Sequence, residues 1–200
     1  MPGEILLSTA YFPNAEYFSL IKNADTVFIE QQENYIKQTY RNRCKILSSN
    51  GILNLSVPVM KGAALKAPVK DIEIDYSKRW QHIHLRAITS AYSRSPYFQF
   101  YSEHLERIML KSHRFLLDLN DELLNKFLEF LNIDKCILHT SVFQPDRGLP
   151  QDFRYRLSPK TRSGFTSRPY IQVFGNNEFV KDLSILDLVF NIGPESSYYI

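Results

Sequence analysis

At 200 residues, 44% hydrophobic and 22% charged, with a formal net charge of +3, the chain has the composition of an ordinary soluble globular protein and not of a basic nucleic-acid coat. Its two cysteines, Cys44 and Cys136, exclude a disulfide framework, and neither has a partner at metal-ligand spacing, so no metal site is expected. No stretch approaches the roughly 18 apolar residues of a membrane span and the opening residues lack a leader pattern, so the expectation is a reduced, cytoplasmic protein forming one domain over residues 1–200.

Taken in order, "EILLSTA" reads as a buried strand that enters a turn at Tyr11-Phe12-Pro13. Asn14 is placed to cap the helix "AEYFSLIKNA", whose Tyr17, Phe18, Leu20 and Ile21 form an apolar side. "DTVFIE" is a second strand, and strand, short helix and strand within about thirty residues make a βαβ unit with a parallel pair. "YIKQTYRNRCKI", residues 35–46, reads as a third extended segment. The Asn50-Gly51 pair then turns it into "ILNLSVPV" as a hairpin. "DIEID" suggests a short edge strand after the loop "MKGAALKAPVK". Helical periodicity runs from about Ser77 to Tyr92 and stops before Ser95-Pro96. Two more helices are expected near 100–112 and 120–132, the second capped by Asn120 with Asp121 and Glu122 in its first turn. "KCILHTS" is a late strand, and residues 145–169 are too long and too rich in Pro, Gly, Ser and Arg for an inert loop. "DLSILDLVFN" is a last helix ended by Gly193 and Pro194. The class is α/β: a mixed sheet begun by a βαβ unit and a hairpin, with several helices in the second half.

The distribution of charge says more than its sum. Asn34–Lys70, Tyr76–Ser102 and Phe153–Asn177 contain no acid but many lysines and arginines, whereas a solvated surface mixes signs. If residues 35–46 are extended, Tyr35, Lys37, Arg41, Arg43 and Lys45 share one face. Two guanidinium forks at Arg41 and Arg43 would stand roughly 7 Å apart, a spacing that suits a diphosphate or carboxylate. Chance and solubility, or pairing with Glu30 and Glu33, are the alternatives. Glu30 closes the second strand, where carboxylates in α/β folds meet ligands, and the turn Tyr11–Asn14 would offer helix N-terminal N–H groups to phosphate. Trp80, His84, Ile88 and Tyr92 recur every four residues. Such a stripe packs a core or, at His84, supplies a general base, with Trp80 and Tyr92 lining the substrate. His82 and His84 face opposite ways on a helix, a poor metal pair. A dinucleotide or P-loop glycine fingerprint is absent, so no cofactor is named by the sequence.

Several stretches together resemble the WbqC-like family, particularly forms from Bacteroidetes-type bacteria: "TAYFPNAEYFSLIKNADTVFIEQQENYIKQTYRNRCKI", "NLSVPV", "IDYSKRWQHIHLRAITSAYSRSPYFQFY" and "LSILDLVFNIGPE". Tyr40-Arg41-Asn42-Arg43 and the Trp80, His84, Ser90-Ala91-Tyr92 spacing carry the resemblance most specifically. In place of the usual Gln-Pro before the tyrosine and Leu-Pro-Trp after it stands Thr9-Ala10-Tyr11-Phe12-Pro13, and Glu30 replaces the usual aspartate. Genes of that family often accompany O-antigen and other surface-polysaccharide loci. The resemblance therefore implies a transferase acting on a nucleotide-activated sugar or other phosphorylated small molecule. The residues read above give its expected site, with catalytic His84 and Glu30 and a pocket of Tyr11, Asn14, Tyr35, Lys37, Arg41, Arg43, Trp80 and Tyr92. The competing class is a non-catalytic module binding single-stranded nucleic acid or an acidic glycan, with nucleic acid the less favoured partner.

Overall fold

A computed structural model describes residues 3–60, 67–145, 151–160, 163–175 and 178–200. Strand β1 (Glu4–Ser8) is followed by helix α1 (Ala15–Asn23), which begins as its sequence dictates: the Asn14 side chain accepts from Tyr17 N, and Tyr17, Phe18 and Ile21 turn inward. Strand β2 (Thr26–Glu30) returns parallel to β1 in the register Glu4↔Thr26 to Ser8↔Glu30, completing the βαβ unit. The late strand β5 (Ile137–His139) pairs parallel with β2, giving the order β1-β2-β5. On the free side of β1, residues 151–153 run parallel through a bridge at Leu6↔Asp152, with Leu6 N to Gln151 O at 3.2 Å and Phe153 N to Leu6 O at 2.9 Å. Four segments therefore end at one edge of a parallel sheet.

The hairpin forms as expected, from β3 (Arg43–Ser48) and β4 (Gly51–Ser56), with Gly51 at φ +93 where a side chain would be strained. It is a separate two-stranded sheet, not part of the parallel one. Helix α2 (Trp80–Tyr92) packs against β3; α3 (Phe98–Met109), α4 (Leu116–Phe130) and α5 (Ile185–Ile192) complete the helices of the described residues. One apolar core runs from Ile5 to Phe190 and draws on every one of these helices.

Three expectations are corrected. Residues 35–42 are not part of the strand: residues 37–42 form turns with Gln38 at φ 60, and the strand begins only at Arg43. Residues 71–75 make isolated bridges (Val59↔Ile74, Glu73↔Phe115) after a 3-10 turn at Val69–Asp71 in place of an edge strand. Helix α4 starts at Leu116, so Asn120 is inside it. Buried there, its amide donates to Thr9 Oγ1 (3.0 Å) and the Arg41 carbonyl (2.8 Å), fastening α4 to the residue that follows β1 and to the turn. Most of the Gly-, Ala- and Lys-containing loop, with Lys61 and Lys66, lies outside the described residues.

Candidate functional site

The carboxyl edge of the parallel sheet collects charge that the core should repel, and the reason is pairing. Glu30, the last residue of β2, is fully buried. Its Oε2 meets Arg154 Nη1 at 3.1 Å, and its Oε1 accepts from Thr140 Oγ1 (2.6 Å) and Gln32 N (2.8 Å). Arg154 follows the fourth parallel segment. Its Nε and Nη2 also donate to Asp152, and its guanidinium lies 5.4 Å from the Phe143 ring and 5.6 Å from the Tyr155 ring. Beside it, Arg41 gives Glu33 a bidentate grip, Nε to Oε1 at 2.9 Å and Nη2 to Oε2 at 2.6 Å, and reaches Ser8 Oγ at 2.7 Å. The Ser8 hydroxyl then donates to the Arg154 carbonyl, so the two ion pairs share one frame. Both pairs lie in a water-poor setting, where the bidentate grip of Arg41 and the added hydrogen bonds to Glu30 offset the loss of hydration.

Titration follows these contacts. Burial tends to raise the Asp152 carboxyl, but the Arg154 hydrogen bonds overcome this and hold it below the ordinary carboxylate value. Arg154, penalised by burial, is held above its usual value by the same bonds. The Tyr155 phenol, 53% exposed, is raised by its partial burial and by Glu33 against the pull of Arg154 and Arg41, which places it over the ionic frame. At the end of β5, His139 Nε2 lies 2.8 Å from Asp121 Oδ2, and this bond raises the imidazole above 6.5 despite partial burial.

A polar pocket of about 220 Å³ opens at the N-terminus of α1, lined by Asn14, Glu16, Tyr40, Phe153, Arg156, Ser158, Ser163 and Gly164. Phe153 also belongs to the fourth parallel segment, and Tyr17, capped by Asn14, donates its hydroxyl to the Ser8 carbonyl at 2.9 Å. Pocket and ionic frame are thus neighbours across one helix turn.

The expected site residues divide. Asn14 lines the pocket; Glu30 and Arg41 belong to the ionic frame; Lys37 faces solvent. Tyr35 is buried, its phenol pushed up to about 12 by that burial against the pull of Arg41 and Arg43. The paired grip of Arg41 and Arg43 on one anion is not formed, because the turn swings Arg41 back to Glu33 while Arg43 lies along the hairpin with Nε on Ser56 Oγ at 3.0 Å. Tyr11, Trp80, His84 and Tyr92 enter the core instead of a pocket. His84, 4% exposed, has Nδ1 2.9 Å from the Tyr11 hydroxyl and its ring 5.2 Å from Trp80. Its pKa falls to about 4 because of burial, opposed by a hydrogen bond to the Ser56 backbone. Arg154, Asp152, Thr140, Asn120, Arg156 and His139 were not anticipated. A signal existed: Glu33 and Asp152 stand immediately before two of the acid-free windows and pair with the first arginine inside each.

In open α/β sheets ligands meet the carboxyl ends of the parallel strands, and here that edge carries buried ion pairs beside a helix N-terminus and a polar pocket. The chain belongs to the WbqC-like protein family, whose model matches residues 9–157. It is also 27% identical, over 224 aligned positions covering 98% of this chain and 96% of the other, to the Mycobacterium tuberculosis protein that carries the name "Uncharacterized protein Rv1507c". No solved structure matches. No helix among the described residues is long and apolar enough to cross a membrane.

Proposed function

We propose that this protein is a cytoplasmic transferase-type enzyme of surface-polysaccharide assembly, acting on a nucleotide-activated sugar or another phosphorylated small molecule at the carboxyl edge of the β1-β2-β5 sheet. The observation that carries the reading is the polar pocket at the N-terminus of α1, where Asn14, Arg156 and two serines converge beside the sheet edge. Helix N-termini beside parallel strands suit phosphate because backbone N–H groups point outward and the helix dipole favours negative charge. Glu16 on the same wall would accept from a ribose or sugar hydroxyl. Tyr155, exposed over the ionic frame, offers a flat π face to the C–H side of a sugar ring.

In this arrangement Glu30 and Glu33 are positioning residues that aim Arg154 and Arg41, and Asp152 is the carboxylate of the frame nearest to solvent. Proton transfer falls to His139, the imidazole at the sheet edge that titrates above 6.5 and is partly exposed, rather than to His84, which Tyr11 and Trp80 enclose.

The test is a thermal-shift panel of nucleotide sugars, free nucleotides, acyl donors and short oligonucleotides. A nucleotide sugar is expected to raise the melting temperature by mass action, about 2.7 kcal/mol at a hundred times its Kd, and Arg156→Ala to abolish the rise. If no phosphorylated small molecule stabilises the protein, or an oligonucleotide alone does so and only at low salt, the reading fails and the binding module replaces it.

A further inference from the structure

The two outer edges of the hairpin are treated differently. On β3 two of the outward groups are occupied: the Lys45 carbonyl accepts from Ser184 N at 2.7 Å, and Leu47 N donates to the Tyr92 hydroxyl at 3.3 Å. These contacts fix the phase of the ladder. Since Lys45 and Leu47 point away from β4, the pairs that exchange bonds within the hairpin are Cys44–Leu55, Ile46–Leu53 and Ser48–Gly51. The outward groups of β4 are therefore those of Ile52, Asn54 and Ser56. Ser56 is engaged by His84. The N–H and C=O of Ile52 and Asn54 have no partner among the described residues.

The strand itself also carries no guard. Proteins protect an open strand with charge, proline, a bulge or a cover. The β4 sequence Gly-Ile-Leu-Asn-Leu-Ser has no ionisable group and no proline, and its register against β3 is unbroken over all six residues. Ile52 is 53% exposed and Leu53 39% exposed, on opposite faces of the strand.

We propose that β4 is the interface with a second copy of this chain, paired antiparallel about a two-fold axis through Leu53. The four free groups select both the partner and the register. A two-fold axis at Leu53 sets Ile52 opposite Asn54 of the second copy, and Asn54 opposite its Ile52. Each such pair exchanges both bonds, four in all, without calling on Ser56. Leu53 then faces Leu53 of the second copy in the close, non-hydrogen-bonded position, where apolar side chains across strands interact most. The strand carries no charge, so two copies meet without repulsion, and the product is a continuous four-stranded sheet β3-β4-β4-β3. Such an isologous contact closes on itself and does not propagate into a fibre.

Sedimentation or light scattering of the full chain from micromolar to millimolar concentration tests this. The expected mass is twice the 23.4 kDa of one chain. Leu53→Lys, which sets like charges face to face, and Asn54→Pro, which deletes an outward N–H, are expected to give monomers with unchanged far-ultraviolet circular dichroism. Leu53→Cys in a Cys136→Ser background is expected to oxidise to a linked dimer, and this readout decides the matter should either surface variant misfold. A wild-type monomer at millimolar concentration, a dimer that survives both variants, or failure of Leu53→Cys to cross-link would each overturn the proposal.

Discussion

Arg154 and Glu30 meet where neither touches water, and the cost of separating them follows from that. With Arg154 removed, Glu30 retains only the Thr140 hydroxyl and the Gln32 N–H as donors, and its charge is left inside the protein. Breaking a buried pair from one side costs about 3–5 kcal/mol, a large part of the roughly 5–15 kcal/mol that holds a domain folded. Arg154→Met is therefore expected to lower the urea midpoint severely, while Arg154→Met with Glu30→Gln recovers much of the loss because no bare charge remains. Urea titrations at constant slope distinguish the two outcomes. A double variant no more stable than the single one would show that the pair holds the loop for another reason. The arginines also show what the charge pattern hides. A window counted as acid-free ends at the acid that neutralises it, so Glu33 with Arg41 and Asp152 with Arg154 look like unbalanced cations when the window alone is scanned.

At the level of elements, legibility followed whether local rules decided the conformation. The βαβ unit, the Asn14 cap, the Asn-Gly hairpin and the last helix were readable because periodicity, capping and turn chemistry agree with one another there. Residues 35–42 were not, because alternation in sequence cannot reveal that Gln38 adopts a left-handed conformation to bring Arg41 back to Glu33. Asn120 had the right neighbours for a helix cap, but tertiary bonds to Thr9 and Arg41 use its amide inside α4. The end of α5 was legible for a reason the structure makes stronger. Gly193 sits at φ +65, and a Cβ there would stand 2.4 Å from the Tyr97 ring. Gly193→Ala is expected to combine backbone strain with a displaced aromatic ring and to destabilise by about 2–4 kcal/mol. Melting temperature against wild type measures it, with Gly164→Ala, where the added Cβ meets open space, as the control.

For the molecule as a whole, acid should be damaging well before the carboxylates titrate. His84 has a folded pKa of about 4 against 6.5 when exposed, because burial disfavours its cation. The unfolded chain thus takes up the proton first as the pH falls. Stability is complete above 6.5, declines between 6.5 and 4, and is flat in this respect below, the total being on the order of 3 kcal/mol. Buried Asp187 works in the opposite sense. Burial raises its carboxyl in spite of Gln172, Tyr170 and Tyr92, so its contribution shrinks as the pH rises. The expected result is a melting temperature that drops from pH 6.5 to 4 in wild type and is nearly level there in His84→Gln. A parallel decline in both proteins would remove His84 from the account.

The pairing of residues 151–153 with β1 has a bearing on how the chain is made. Glu30 lies 124 residues ahead of Arg154, and Ser8 lies 146 residues ahead of the carbonyl it binds. During synthesis at about 5–20 residues per second, the first strands wait roughly 6–25 s for the arginine that neutralises them. The βαβ unit is local in its own contacts but cannot close its charged edge until three-quarters of the protein exists. Ribosome-held chains ending at residue 145 should therefore expose β1 and β2 to protease, and chains extended through residue 200 should protect both; equal protection at the two lengths would place the decisive step earlier. Assembly of the sheet is then a late event in biogenesis, timed by the arrival of a single side chain.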